Sequence, residues 1–145
     1  MTRGSFESFR GVVLPWHCDA MGHFSVQHQM PLLDGAIYHL LGRLGPMVER
    51  QDGRRLGWAD VRHEISYRRE MVAGDLLVCE SSILAVGNSS IRHRTVLMRL
   101  PDREPCTVLE GVTVRFDLDA RKSIALTEAA RELARELCDP ASAPS

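Results

Sequence analysis

Met30, Leu33, Ile37, Leu40, Leu41 and Leu44 recur at spacings of three and four, which draws one broad apolar stripe along a helix. It is the one clear long helix of the chain. A stripe this wide cannot face water, so the remaining residues have to supply a layer that wraps it. Gly42 and Gly45-Pro46 provide the stop. Pro31 sits near the start, where a proline is tolerated only in the first turn. Either the regular helix begins near Gln29 or a tighter turn precedes it. Asp34 lies one turn from Met30 and Ile37 and two from Leu41, and its carboxylate must find donors or stay partly wet.

The covering layer follows in sequence. Val61, His63, Ile65 and Tyr67 alternate with Arg62, Glu64, Ser66 and Arg68, the period of a strand with one apolar face. Gly74-Asp75 turns into a β-rich run over Leu76–Val86, and Gly87-Asn88 has the composition of a tight hairpin. Ser89–Leu100 returns as a strand, 101–105 turns again, and Cys106–Asp117 is a last long strand. Ahead of the helix, Phe9–Trp16 reads as a first strand with Pro15 at its end or on an edge. Residues 46–57 read as a connecting loop. Thr127 caps a short final helix over Glu128–Leu137. The order predicts an α+β fold, a five-stranded antiparallel sheet wrapped around one long central helix. It forms a single domain over 1–145, with 1–8 and 139–145 as frayed ends.

Bulk properties narrow the function classes. A chain of 145 residues, 44% hydrophobic, has enough apolar material for one core. A formal charge of -1 offers no field for nucleic acid or a membrane surface, and no apolar run approaches the ~18–20 residues of a span. Met1–Arg10 lacks the apolar stretch of a signal peptide. The cysteines at 18, 79, 106 and 138 form no Cys-x-x-Cys pair, so free thiols and a cytoplasmic protein are expected.

The reactive residues gather in Trp16–Val26, between the first strand and the helix: His17, Cys18, Asp19, Gly22 and His23 precede a helix start with free amides. On the residues alone Asp19 reads as a turn or capping residue ahead of Gly22. The spacings of His17, Cys18, His23 and His28 match no zinc pattern, so no metal is expected. Alternation sends His17 and Cys18 apart, against a thiolate–imidazolium pair. There is no Gly-x-Ser-x-Gly for a serine hydrolase.

Asp19-Ala-Met-Gly-His23 after a strand, then an amphipathic helix carrying Asp34, resembles the hot-dog-fold acyl-CoA thioesterases of the 4-hydroxybenzoyl-CoA thioesterase type. Ile65-Ser-Tyr67 followed by Gly74-Asp75 is similar to a second pattern of that family. The resemblance implies a single hot-dog domain that hydrolyses a coenzyme A thioester. It implies no cofactor beyond the coenzyme A of the substrate, and sites shared within a homodimer or homotetramer. It puts the catalytic carboxylate on Asp19 and the oxyanion-binding amide near Ser25–Val26. The family often has two asparagines at Ser25 and Val26, a tyrosine at Gln29 and a proline at Glu70. These departures bear on substrate contacts and leave a backbone amide in place.

A thioester leaves as a thiolate whose conjugate acid has a pKa of roughly 8.5, so the leaving group needs little protonation. One carboxylate to activate water or attack directly, and amides at a helix start to stabilise the oxyanion, cover the remaining tasks. The expected catalytic set is Asp19, His23 and Val26, with Gly22, Ser25 and His63 against substrate. His23 reads equally as a loop-bracing residue, and His63 as a core histidine. Arg62, Arg68, Arg69, Arg92, Arg94, Arg99 and Arg103 could hold coenzyme A phosphates or simply solvate the sheet. Two other readings keep the fold. One is a non-catalytic acyl-CoA-binding module. The other is an enoyl-CoA hydratase or dehydratase, whose Asp-x-Asn-Pro-x-His type motif this chain lacks.

Overall fold

Ser25 starts the long helix, α1, over Val26–Gly42: its backbone is extended and its Oγ accepts the Gln27 N–H at 3.2 Å. The computed structural model that shows this describes residues 4–140, so 1–3 and 141–145 of the expected frayed ends lie outside the described residues. Leu33, Ala36, Ile37, Leu40 and Leu41 are buried along α1, as the stripe requires. The helix begins ahead of Gln29 and runs through Pro31. Proline has no N–H, so the Gln27 carbonyl one turn earlier loses its helical donor.

The wrapping layer is one antiparallel sheet of seven strands rather than five. In chain order these are β1 (Ser5–Val12), β2 (Glu49–Gln51), β3 (Arg54–Tyr67), β4 (Leu76–Val86), β5 (Ser90–Arg99), β6 (Glu104–Asp117) and β7 (Lys122–Ser123). The spatial order is β1-β4-β5-β6-β3-β2, with β7 on β6. The two additional strands are two or three residues long and mostly exposed, too short to carry a period-two apolar signal. Asp52 and Gly53, both at positive φ, turn β2 into β3 inside the stretch read as a loop. A second helix, α2, covers Glu128–Glu136 under the Thr127 cap.

Two boundaries move. The first strand starts at Ser5 and stops at Val12, and Pro15–His17 forms a 3-10 turn. Phe6 and Phe9 both pack toward the core because the register slips between Glu7 and Phe9. Asp139, expected in a frayed end, donates its N–H to the Ile83 carbonyl at 2.9 Å. A bulge in β3 sets Asp60 opposite Thr113 and Arg62 opposite Val112, so Val61 is the extra residue and lies 59% exposed. It does not share the helix-facing side with His63, Ile65 and Tyr67, as simple alternation predicts.

Register aligns the helix-facing residues into rows across the sheet: Cys79, Leu97, Thr107 and Tyr67; then Ser81, Thr95, Leu109 and Ile65; then Ile83, His93, Gly111 and His63. The outer face carries charge. Arg92 and Arg94 share Glu110, Arg62 meets Glu64, Arg69 and Arg99 meet Glu104, and Arg103 meets Glu80. Among the described residues no helix is long and apolar enough to cross a membrane.

Candidate active site

The loop from Cys18 to Phe24 is closed on itself before it touches anything else. Asp19 N–H donates to the His23 carbonyl at 2.8 Å, and Gly22 N–H to the Asp19 carbonyl at 3.0 Å. The Asp19 side chain completes the turn, with Oδ1 accepting the Met21 amide at 2.9 Å and the His23 amide at 3.1 Å. Gly22 stands at φ 81, a left-handed conformation that explains the glycine. The closed loop is then pinned to the segment after β3. Phe24 N–H donates to the Met71 carbonyl at 2.7 Å, and His23 bridges Val72.

Asp19 therefore does serve as a turn residue, and with the same side chain it lines a cleft. That cleft, about 410 Å³, is walled by Asp19, Met21, His23, Phe24, Val26, Gln29, Tyr67, Arg68, Arg69 and Glu70. Both hydrogen bonds that the carboxylate accepts fall on Oδ1, so Oδ2 carries no protein donor among the described residues. The Val26 N–H is the first of α1 and has no acceptor among the described residues, while the His28 and Gln29 amides close onto the Ser25 carbonyl. The cleft thus joins one carboxylate oxygen and one unpaired amide at the positive end of a helix dipole.

Of the expected residues, Asp19, His23 and Val26 meet in this cleft. Gly22 and Ser25 act behind it, one shaping the turn and the other capping the helix. His63 lies two rows in from the Tyr67 wall. His23 Nε2 stands 3.2 Å from Glu70 Oε2, at the residue where the family often has proline. His17 is used elsewhere, since its Nδ1 accepts the Leu14 amide at 3.1 Å and its ring lies against Phe24 and His28. Among the described residues no three His, Cys, Asp or Glu side chains converge to hold a metal.

Gln29 escapes the sequence reading. It is buried, donates Nε2–H to the Phe24 carbonyl at 3.0 Å, and accepts the Thr107 hydroxyl at 2.7 Å. It thereby ties the loop, the first helical turn and β6 together. The available signal was its place on the apolar stripe, four residues before Leu33. Arg68, by contrast, is among the sequence candidates, and its surroundings set it apart from the others. Of the seven candidate arginines, the other six face carboxylates, and Arg68 alone has no such partner among the described residues.

Comparison with known proteins bears on the fold and the family. The family model of the thioesterase-like superfamily matches residues 13–136. No curated protein sequence matches significantly. A Staphylococcus aureus protein solved in complex with CoA aligns at 13% identity and TM-score 0.82, over 100% of this chain and 89% of its own. A Thermus thermophilus thioesterase complexed with coenzyme A and Zn aligns at 24% identity and TM-score 0.73, over 90% and 92%. YbaW of Escherichia coli aligns at 21% and 0.73, over 92% and 100%. At these identities the likeness establishes the fold, a curled antiparallel sheet on a long helix, the hot-dog arrangement. The family match covers most of the chain, and the protein belongs to the thioesterase-like superfamily.

Proposed function

We propose that the protein hydrolyses an acyl-CoA thioester at the cleft between Asp19 and the start of α1. The observation that carries this reading is the pairing of a carboxylate oxygen free of protein donors with the unpaired Val26 amide in one cleft. The thioester carbonyl oxygen accepts the Val26 N–H, and charge that develops there is stabilised by the helix start. Asp19 takes a proton from water as it adds to the carbonyl carbon, or attacks that carbon itself and forms a mixed anhydride that water then opens. In both routes the carbon–sulfur bond breaks with the electron pair on sulfur, and the thiolate leaves without an acid.

The remaining groups place the substrate. Arg68, at the cleft and free of carboxylate partners, is the arginine available to coenzyme A phosphates. His23, held by Glu70, borders the reacting centre. No group here requires a cofactor, and the outer sheet face pairs its own charges, which suits a small-molecule substrate better than nucleic acid. The free edge of β3 beyond the short β2 is where a second copy would complete the site in a homodimer or homotetramer. A cytoplasmic location accords with four free cysteines.

The test is thiol release from a panel of acyl-CoAs. Turnover that disappears in Asp19→Asn supports the reading, and near-wild-type turnover in that variant overturns it. Tight acyl-CoA binding with no thiol release decides for a binding module instead.

A further inference from the structure

Two carboxylates wall the cleft, Asp19 and Glu70, and only the first has been given a task. Glu70 stands on the segment between β3 and β4, and backbone pairing sets that segment against the Asp19 loop. The Phe24 amide donates to the Met71 carbonyl at 2.7 Å, and His23 bridges Val72. The contact of His23 Nε2 with Glu70 Oε2, at 3.2 Å, therefore joins two stretches already fixed to each other. Such a pair gives up less freedom than one between unconstrained surface side chains.

The contact also fixes a tautomer. A carboxylate accepts and does not donate, so the proton of the neutral ring lies on Nε2 and Nδ1 keeps a bare lone pair. Among the described residues nothing donates to that Nδ1, and the His23 side chain is about one-third exposed on the cleft wall. The ring is anchored beside Asp19 at its root, because the His23 amide donates to Asp19 Oδ1 at 3.1 Å. Nδ1 is the ring nitrogen nearer that backbone. Asp19 Oδ2, the His23 ring and the Val26 amide thus border one space open to water.

Hydrolysis of a thioester through one carboxylate alone asks that group to be both neighbour of the carbonyl and base for water. Two acceptors without donors allow the work to be split. A free imidazole is a stronger base toward water than a carboxylate, by about two pK units. A carboxylate is a competent nucleophile toward a thioester, whose thiolate leaves without an acid.

We propose that Asp19 and His23 divide the reaction, Asp19 as the nucleophile and His23, held by Glu70, as the base that activates the hydrolytic water. Asp19 Oδ2 bonds to the thioester carbonyl carbon, and the carbon–sulfur bond breaks with its pair on sulfur. A mixed anhydride results. Water then adds to the acyl carbon and gives one proton to His23 Nδ1. The bond from that carbon to the Asp19 oxygen breaks, and its pair returns to the carboxylate. The imidazolium passes its proton to the released thiolate, which leaves free acid and thiol. Glu70 is a positioning residue that accepts Nε2–H throughout and stabilises the imidazolium while it exists. This assignment rests on the thioesterase reading of the Asp19 cleft and chooses between its two routes.

The two steps separate when thiol release is followed before the steady state. The full chain is mixed rapidly with an acyl-CoA that the wild type turns over, and acid-quenched samples are weighed by mass spectrometry. In His23→Gln, kcat should fall about a hundredfold while thiol still appears in a burst of about one equivalent per site. The protein mass should rise by the acyl group, on the peptide that carries Asp19. Glu70→Gln, at a side chain 75% exposed where exchange leaves the fold intact, can donate to Nε2 and place the ring proton on Nδ1. It should lower kcat about tenfold with KM unchanged and show the same burst, a result that stands even where His23→Gln fails to fold. Near-wild-type kcat in Glu70→Gln, or a slowed variant with neither burst nor adduct, overturns the division of labour and leaves the thioesterase reading in place. No thiol release by the wild type from any acyl-CoA removes both.

Discussion

Asp19 and His23 hold each other twice: the Asp19 amide donates to the His23 carbonyl at 2.8 Å, and the His23 amide donates to Asp19 Oδ1 at 3.1 Å. One carboxylate oxygen is spent on the shape of its own loop, and the other is left for chemistry. Asp19→Asn keeps a carbonyl oxygen for the Met21 and His23 amides, so the melting temperature should hold while thiol release falls about a thousandfold. Asp19→Ala loses both roles and should cost about 1–3 kcal/mol of stability as well. Thermal melts beside thiol-release assays separate the two effects.

Gln29 makes a comparable case for position. Gln29→Leu strands the Phe24 carbonyl and the Thr107 hydroxyl, and should cost about 1–3 kcal/mol in denaturant unfolding. Since the residue fixes the helix start against β6, kcat should fall with it. Adding Thr107→Val removes the stranded hydroxyl, and the double variant should be more stable than the sum of the singles predicts.

Arg68 and Arg92 are both exposed arginines, and only Arg92 is engaged, with Glu110. Arg68→Ala should raise KM for acyl-CoA about three- to tenfold, with the effect shrinking as salt is added. Arg92→Ala should leave KM where it is. Initial rates at two ionic strengths decide the matter.

Acid should weaken the fold in two stages. Burial lowers His93 from 6.5 to about 4, so between those values the unfolded chain binds the extra proton and stability rises with pH. The span corresponds to at most about 3 kcal/mol, lost as pH falls from 6.5 to 4 and absent in His93→Gln. Asp117 and Glu110 act in the same direction at lower pH. Backbone amides, the Ala120 amide first, hold Asp117 below the usual carboxylate range, and Arg94 does so for Glu110. Their contributions are present above the unfolded pKa and vanish as pH falls through the folded one. Urea midpoints from pH 3 to 8 give the profile.

The helix and the four long strands after it were legible because each repeats its apolar period over many residues. The extra strands were not, since β2 and β7 bury almost nothing and signal only through Asp52-Gly53. A one-residue bulge was equally invisible, and it decides that Asp60 pairs with Thr113 while Val61 is left without a strand partner. Asp19, His23 and Val26 are named through the family resemblance of a short motif at a strand-to-helix junction, and the structure brings them to one cleft. Gln29 was not legible, because its role depends on Thr107, 78 residues away across the sheet. Polar residues on apolar stripes are the trace such pairs leave.

Pro31 has a consequence for how the reacting centre is held. Without its N–H, Pro31 leaves the Gln27 carbonyl without its helical donor, so the first turn is tied to the rest of the helix by one bond fewer. What locates the Val26 amide is instead the strut from Gln29 to β6 and the cap at Ser25. The proposed oxyanion donor is thus indexed to the sheet. The position of that amide therefore depends on β6 as well as on α1.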